Sequence, residues 1–150
     1  MDLPRYQIST NEDQTVFWFT SRGPKGDIIK IVLYSEMNEP QLYNLSLGDY
    51  DQESDKIDFD SITNNGDRDK VLASVVDTVY AFFAKNSDCV LHFKGSDNGR
   101  TRLYQMAISN FIEQLSEDFD IFGKLNNKIL RFTKGVNYEA FLIQLKKKNR

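Results

Sequence analysis

The chain has 150 residues, a net charge of −3 and a pI near 5.2. This acidic balance disfavours a general nucleic-acid binder, because such proteins carry a basic footprint. The single cysteine, Cys89, excludes an internal disulfide and a multi-cysteine zinc site, so we expect a cytoplasmic protein. The length and the apolar fraction of 40% predict a single domain over residues 1–150, and no apolar run reaches the ~18 residues that a membrane helix needs.

The chain opens with side chains that alternate with a period of two. Val16 and Trp18 alternate with Phe17 and Phe19, so this strand is apolar on both faces. Turns rich in Gly and Pro separate it from two further strands, which predicts an antiparallel meander. The later strands are expected at residues 28–34 and 42–47, and the turns at 22–26 and 37–40.

Residues 49–60 are strongly acidic, with Lys56 as their only cation. Their spacing superficially matches a calcium loop, but Ser54 stands where the sharp turn requires Gly, and Asp60 stands where the loop requires Glu. We therefore expect a solvated acidic hairpin loop and no metal site.

A turn at Asn64-Asn65-Gly66-Asp67 leads into the first helix, which is predicted to run to about Asn86. An asparagine is the expected cap, and Asp67 and Asp69 place negative charge where the helix dipole favours it. Valine and aromatic side chains recur at helical spacing and form a wide apolar stripe.

A short strand at residues 89–93 follows this helix, and its place between two helices predicts the middle of the sheet. His92 and Cys89 lie on it without a recognisable partner motif. We interpret both as packed strand residues rather than catalytic groups.

The stretch Gly95–Tyr104 is the main candidate site. The second helix is predicted from Gly99 to about Leu115, with Asp97 or Asn98 as its cap. Arginines in a first helical turn oppose the dipole unless an anion compensates them. Backbone N–H groups and guanidinium groups at such a junction can hold an anion; pairing with nearby aspartates, among them Asp67, Asp69 and Asp97, or exposure to solvent, is the alternative. The candidate ligand-binding residues here are Gly95, Ser96, Asn98, Arg100 and Arg102.

Closing strands complete the pattern. A hairpin is expected from residues 119–123 and 129–133, then a last strand at 138–145 and a solvated basic tail at 146–150. The predicted fold is α+β: a mainly antiparallel twisted sheet with two principal helices, in the order meander, helix, strand, helix, strands.

Four stretches resemble an uncharacterised bacterial protein family found mainly in Bacteroidetes. They are Thr63–Asp67, Lys70–Val75 with Thr78–Phe82, Gly95-Ser96 with Arg100–Tyr104, and Phe132–Leu142. The resemblance covers nearly the whole chain and implies no established activity.

The order of elements is also similar to the C-terminal two-thirds of GCN5-related acetyltransferases. Leu103-Tyr104 resembles the Leu-Tyr pair of that superfamily. The resemblance implies acetyl-CoA as cofactor, with its pyrophosphate on the loop that contains Asn65 and Gly66, and Tyr104 as general acid toward the departing thiolate.

Three functions stay open. The first is a non-catalytic binding or regulatory module that holds an anionic small molecule or an acidic protein partner at Gly95–Tyr104. The second is an acyl-CoA-dependent N-acyltransferase. The third, a toxin–antitoxin component acting on RNA, rests on the basic tail and the arginines. No membrane partner is expected, and a homodimer remains open.

Overall fold

The computed structural model describes residues 4–60 and 63–147. It confirms the predicted α+β class: the strands form a mostly antiparallel open sheet, and helices follow the meander. The strands are β1 (Ser9–Thr10), β2 (Val16–Gly23), β3 (Gly26–Glu36), β4 (Leu42–Asp51), β5 (Lys56–Asp58), β6 (Val90–Phe93), β7 (Phe119–Leu125), β8 (Lys128–Arg131) and β9 (Ala140–Leu145). The helices are α1 (Arg68–Lys85), α2 (Asn98–Asn110) and α3 (Ile112–Asp118).

The described residues form two compact units. Unit 1 contains the chain up to Ser35 and the segment Leu45–Lys85, and unit 2 contains Glu36–Asn44 and the chain from Asn86 onwards. Strand β4 is divided between them, so each unit has its own strands and its own helix layer.

Unit 1 is built on the predicted meander. In the β2–β3 hairpin the inward pairs, such as Phe17 opposite Val32, are fully buried. Helix α1 packs on this face: the rings of Tyr34 and Phe82 stack with centroids 4.4 Å apart, and the Tyr34 and Thr78 hydroxyls share a 2.8 Å hydrogen bond. One face of β2 is therefore covered by α1, while Trp18 on the other face is 39% exposed.

A charged residue lies inside unit 1. Lys30 is 0% exposed, and its Nζ donates to Asp49 Oδ1 at 2.6 Å and to the Thr63 carbonyl at 3.1 Å. Asp49 Oδ2 accepts from the Thr63 N–H at 2.8 Å. A buried charge is tolerated only when it is paired and hydrogen-bonded, so this cluster holds the segment that leads into α1.

The predicted asparagine cap of α1 is wrong. The helix begins at Arg68, directly after Asp67, and ends one residue before the predicted end. Asn64 Oδ1 accepts from the Gly66 N–H at 3.1 Å, and Asn65 bonds to the β2–β3 turn. Both asparagines therefore shape the loop instead of capping the helix.

Unit 2 has the strand order β4-β6-β9-β7-β8, with β6 in the middle as predicted. The β4–β6 pair is parallel, and the pairs β6–β9, β9–β7 and β7–β8 are antiparallel. Tyr104 of α2 packs edge-on against Phe93 of β6, with ring centroids 5.4 Å apart. The buried sheet residues lie at alternate positions, as in a sheet with helices on one face.

The predicted second helix is wrong in its length, because it divides at Phe111. This residue leaves the helical region at φ −112° and ψ 16°, and its N–H bonds to the carbonyls of both Ala107 and Ile108. Phe111 is 2% exposed, so its burial and the apolar period continue through the break and conceal it in the sequence.

Other boundaries also differ from the prediction. Strand β4 extends to Asp51 because it pairs with β5 across the acidic stretch, which forms a hairpin. Strand β9 begins at Ala140, since the Tyr138 N–H donates instead to Gln105 Oε1 at 3.0 Å. Asn126 and Asn127, at φ 52° and 64°, make the two-residue turn between β7 and β8.

None of the helices in the described ranges is long and apolar enough to cross a membrane. Residues 4–60 and 63–147 also contain no group of three His, Cys, Asp or Glu side chains suited to a metal ion. Residues 148–150 of the predicted basic tail lie outside the described residues, and Lys146 and Lys147 are exposed.

We expect Lys30→Met to lower the free energy of unfolding by about 3–5 kcal/mol, because it leaves the Asp49 carboxylate buried without its cation. The double variant Lys30→Met with Asp49→Leu should recover at least half of that loss. Urea unfolding followed by circular dichroism measures both. As a control, Arg22→Met removes an exposed ion pair with 4.0 Å between Arg22 Nε and Asp27 Oδ2 and should change stability little. A double variant as unstable as Lys30→Met alone would contradict this account.

Candidate functional site

The α2-start surface, defined as residues 94–102 of unit 2, is held together by a close approach at Gly95. A Cβ on Gly95 would lie 2.3 Å from both Arg100 Cβ and the Thr101 nitrogen, so no other residue fits without movement. The Gly95 N–H donates to Thr101 Oγ1 at 3.1 Å. The strand-to-helix loop is thereby fixed against the first turn of α2.

Asp97 caps α2, which confirms one of the two predicted caps. Its Oδ1 accepts from the Arg100 N–H at 2.9 Å, and its carbonyl accepts from the Thr101 N–H at 3.1 Å and from Thr101 Oγ1 at 3.0 Å. The carboxylate also places negative charge where the helix dipole favours it. The chain's own Asp97 therefore occupies part of the anion position at this helix start.

Arg100 is compensated locally. Its Nη1 donates to Ser96 Oγ at 2.6 Å and to Asp97 Oδ2 at 2.7 Å. The side chain is 20% exposed, and within the described residues its buried Nε has no hydrogen-bond partner. Asp67, one of the partners that the sequence allowed, instead accepts hydrogen bonds from Tyr6 and Ser21 within unit 1. The guanidinium group is thus fixed in place with a donor to spare.

The remaining polar residues of the α2-start surface face solvent. Arg102, Asn98 and Lys94 are all exposed. The structure thus brings Gly95, Ser96 and Arg100 into one bonded cluster and leaves Asn98 and Arg102 at the surface beside it.

Tyr104, the proposed general acid, lies one turn after Thr101 on α2. It is 7% exposed, and its ring packs against Phe93. This position makes the phenol part of the unit 2 core.

Asn65 and Gly66 lie in unit 1. Asn65 is 1% exposed: its Oδ1 accepts from the Lys25 N–H at 2.8 Å, and its Nδ2 donates to the Gly26 carbonyl at 2.8 Å. Gly66 has a positive φ of 76°, which favours glycine. It lines an open groove of about 740 Å³, together with Pro4, Asn64, Asp67, Arg68, Asp69 and Lys70.

Sequence reasoning missed a second polar cluster beside that groove. Tyr6 Oη and Ser21 Oγ both donate to Asp67 Oδ2, at 2.5 and 2.6 Å. Burial, together with the hydrogen bond to Asp67, raises the pKa of the Tyr6 phenol. Strand parity could have indicated Ser21 and Lys30, because both are polar residues at inward positions of apolar strands.

Cys89 and His92 have environments that limit their chemistry. Burial, with Asp88 and Glu36, raises the pKa of the Cys89 thiol, so the nucleophilic thiolate is disfavoured. Burial and the cations Lys94 and Lys124 lower the pKa of His92. Its Nδ1 lies 3.0 Å from Asn44 Oδ1, within unit 2, in a hydrogen bond that the neutral ring can make.

The chain belongs to the family of unknown function DUF6934, whose model matches residues 2–146. The match covers both units, which confirms membership of a family without an assigned activity. No curated protein and no solved structure matches the chain. Any functional conclusion must therefore come from the residues themselves.

We predict that the His92 ring titrates below the ordinary histidine pKa of about 6.5. Because the unfolded chain then binds the proton more readily than the folded protein, the contribution of His92 to stability is complete above ~6.5 and is lost as the pH falls through the folded pKa. An NMR titration of the His92 ring protons gives the folded pKa.

Urea unfolding of the wild type and of His92→Gln at several pH values isolates this contribution from that of the carboxylates. The variant should lose less stability than the wild type between pH 7 and pH 5. A folded midpoint at or above the ordinary value would contradict the prediction.

Proposed function

We propose that this member of the family is a non-catalytic binding module and that its α2-start surface holds an acidic partner. The observation that carries the proposal is Arg100, whose guanidinium is fixed by Ser96 and Asp97 while its buried Nε has no acceptor within the described residues. A buried donor without a partner costs roughly 1–3 kcal/mol, and a bound acceptor offsets that cost.

The surrounding charge supports the same conclusion. Arg102 and Lys94 are exposed cations on the same stretch, and Arg102 follows Arg100 by two residues. Arginine binds carboxylates and phosphates through two parallel N–H donors, and a fixed guanidinium loses little conformational entropy on binding. The α2-start surface therefore has the donor chemistry for anion recognition.

The geometry favours the acidic surface of a protein partner over a small buried anion. Asp97 caps the helix and compensates Arg100, so a small anion at the helix start would lie next to a carboxylate. An acidic segment of a partner can instead contact Arg102 and Lys94 at the surface. The high pKa of the Cys89 thiol and the burial of Tyr104 in the core support a non-catalytic role.

We expect a hexaglutamate peptide, added to ¹⁵N-labelled protein at low ionic strength, to shift the amide resonances of residues 94–102 more than those of unit 1. Arg102→Ala should weaken the titrated affinity about fivefold or more, since charge-assisted hydrogen bonds contribute ~1.5–3 kcal/mol. Binding should also weaken at about 150 mM salt.

Arg68→Ala is the matched control, because Arg68 is an exposed cation in the first turn of another helix, α1. It should leave the peptide affinity unchanged. Inorganic phosphate, titrated in parallel, distinguishes a small-anion site from a protein-binding surface. Equal losses in both variants, or peptide binding that survives Arg102→Ala, would overturn the proposal.

The second candidate is an acyl-CoA-dependent N-acyltransferase. One observation favours it: β4 and β6 pair in parallel at Leu42–Asn44 and Val90–His92, and α1 connects them, as the resemblance in element order implies. The buried and engaged amide of Asn65, together with the Asp67 carboxylate, weighs against pyrophosphate binding at that loop.

Acetyl-CoA at millimolar concentration should leave the Tm unchanged if the chain is a non-catalytic module. A ligand present at about one hundred times its Kd would instead stabilise the fold by ~2.7 kcal/mol. A thermal shift that Tyr104→Phe leaves intact while abolishing acyl transfer would establish the acyltransferase in place of the binding module.

A further inference from the structure

The outer face of the β2–β3 hairpin in unit 1 is apolar. Trp18 lies opposite Ile31 and Val16 lies opposite Leu33, and Trp18 is 39% exposed. The outward face of an antiparallel sheet is usually polar, because it meets water. The full set of outward residues on the two strands is Val16, Trp18, Thr20, Arg22, Asp27, Ile29, Ile31 and Leu33.

Within the described part of unit 1, the single helix lies on the opposite face. Helix α1 buries Phe82 against Tyr34, whose ring also meets Phe17 edge-on at 5.6 Å. Helix α1 therefore leaves the outer face uncovered. Exposed apolar patches of this kind mark interaction surfaces, because burying apolar area releases about 25 cal/mol per Å².

We propose that this outer face, the β2–β3 face, is the interface of a two-fold homodimer. A two-fold interface brings one patch against a copy of itself, so a patch with a single sign of charge would repel itself. The central residues of the β2–β3 face are uncharged. At its rim Arg22 lies opposite Asp27, with 4.0 Å between Arg22 Nε and Asp27 Oδ2, so both signs are present side by side and can exchange partners between copies.

The shape of the surroundings fits a second sheet. A groove of about 340 Å³ runs beside the β2–β3 face, where Trp18, Thr20 and Arg22 of β2 meet Tyr6, Gln7 and Ser9. Side chains of a partner sheet can enter such a groove, as side chains interdigitate where two sheets pack face to face.

The size of the patch sets the expected strength. A strand from Val16 to Arg22 extends ~23 Å and three adjacent strands cover ~14 Å, giving a flat face of roughly 300 Å². Stable interfaces bury about 800 Å² per partner. The homodimer is therefore weak and concentration-dependent, with a Kd on the order of micromolar or higher.

The protein carries its own probe, because Trp18 is its only tryptophan. Sedimentation equilibrium from about 1 µM to 1 mM should show a monomer that becomes a dimer. Over the same range Trp18 fluorescence should shift to shorter wavelength and resist acrylamide quenching. A monomer at every concentration, growth beyond the dimer, or a dimer without the Trp18 shift would each overturn the proposal.

Ile31→Lys places like charges opposite one another across the two-fold axis and should raise the dimer Kd at least tenfold while keeping the Trp18 probe. Met106→Lys is the matched control: Met106, on α2 of unit 2, is 38% exposed, close to the 39% of Trp18. It should leave the dimer Kd within about twofold.

Trp18→Thr, which keeps β-propensity, is the second variant if Ile31→Lys fails to fold by circular dichroism. It should also raise the dimer Kd at least tenfold by sedimentation. A folded variant of either kind that dimerises like the wild type would overturn the proposal, as would a Met106→Lys variant that loses the dimer.

Discussion

The start of α1 depends on the buried ion pair between Lys30 and Asp49. A fully buried ammonium is tolerated only with an anion and further acceptors, and here Asp49 and the Thr63 backbone supply them. Because Thr63 bonds to both members of the pair, the segment before α1 has one path. Two residues later Asn65 ties that path to the β2–β3 turn, where a Cβ on Gly23 would lie 2.0 Å from the Asn65 carbonyl oxygen. The hairpin and the helix of unit 1 are thereby held by polar contacts as well as by the apolar core.

Unit 2 resolves a charge conflict by a shorter route. Arginine at the start of α2 opposes the helix dipole, but Asp97, three residues before Arg100, caps the helix and pairs with the guanidinium group. The conflict that first indicated a site therefore has a local structural answer. What remains for a partner is the unused Nε of Arg100, together with the exposed Arg102.

Family membership assigns no activity to this chain, so the chemistry of its side chains carries the functional argument. The groups most able to do covalent chemistry are restrained: the Cys89 thiol has a raised pKa, and Tyr104 lies in the core. The two surfaces proposed here, the α2-start surface and the β2–β3 face, are instead suited to recognition. They lie on different units and use different physical forces, charge in one and apolar burial in the other, so salt affects them in opposite directions.

Local pattern by itself determined the meander, the positions of the main helices, the Asp97 cap and the central place of β6, because each follows from neighbouring residues and periodicity. It also indicated a strand apolar on both faces, and strand parity could have indicated Lys30 as a polar residue facing inward. Only the tertiary structure decided that Asp49, nineteen residues away in the chain, would pair with Lys30, and that Asn65 would bond to a turn instead of capping a helix. It also decided the break at Phe111 and which face of β2 stays open. The physical reason is the same in each case: these outcomes depend on contacts between segments that are distant in the chain or on packing, and sequence periodicity does not encode them.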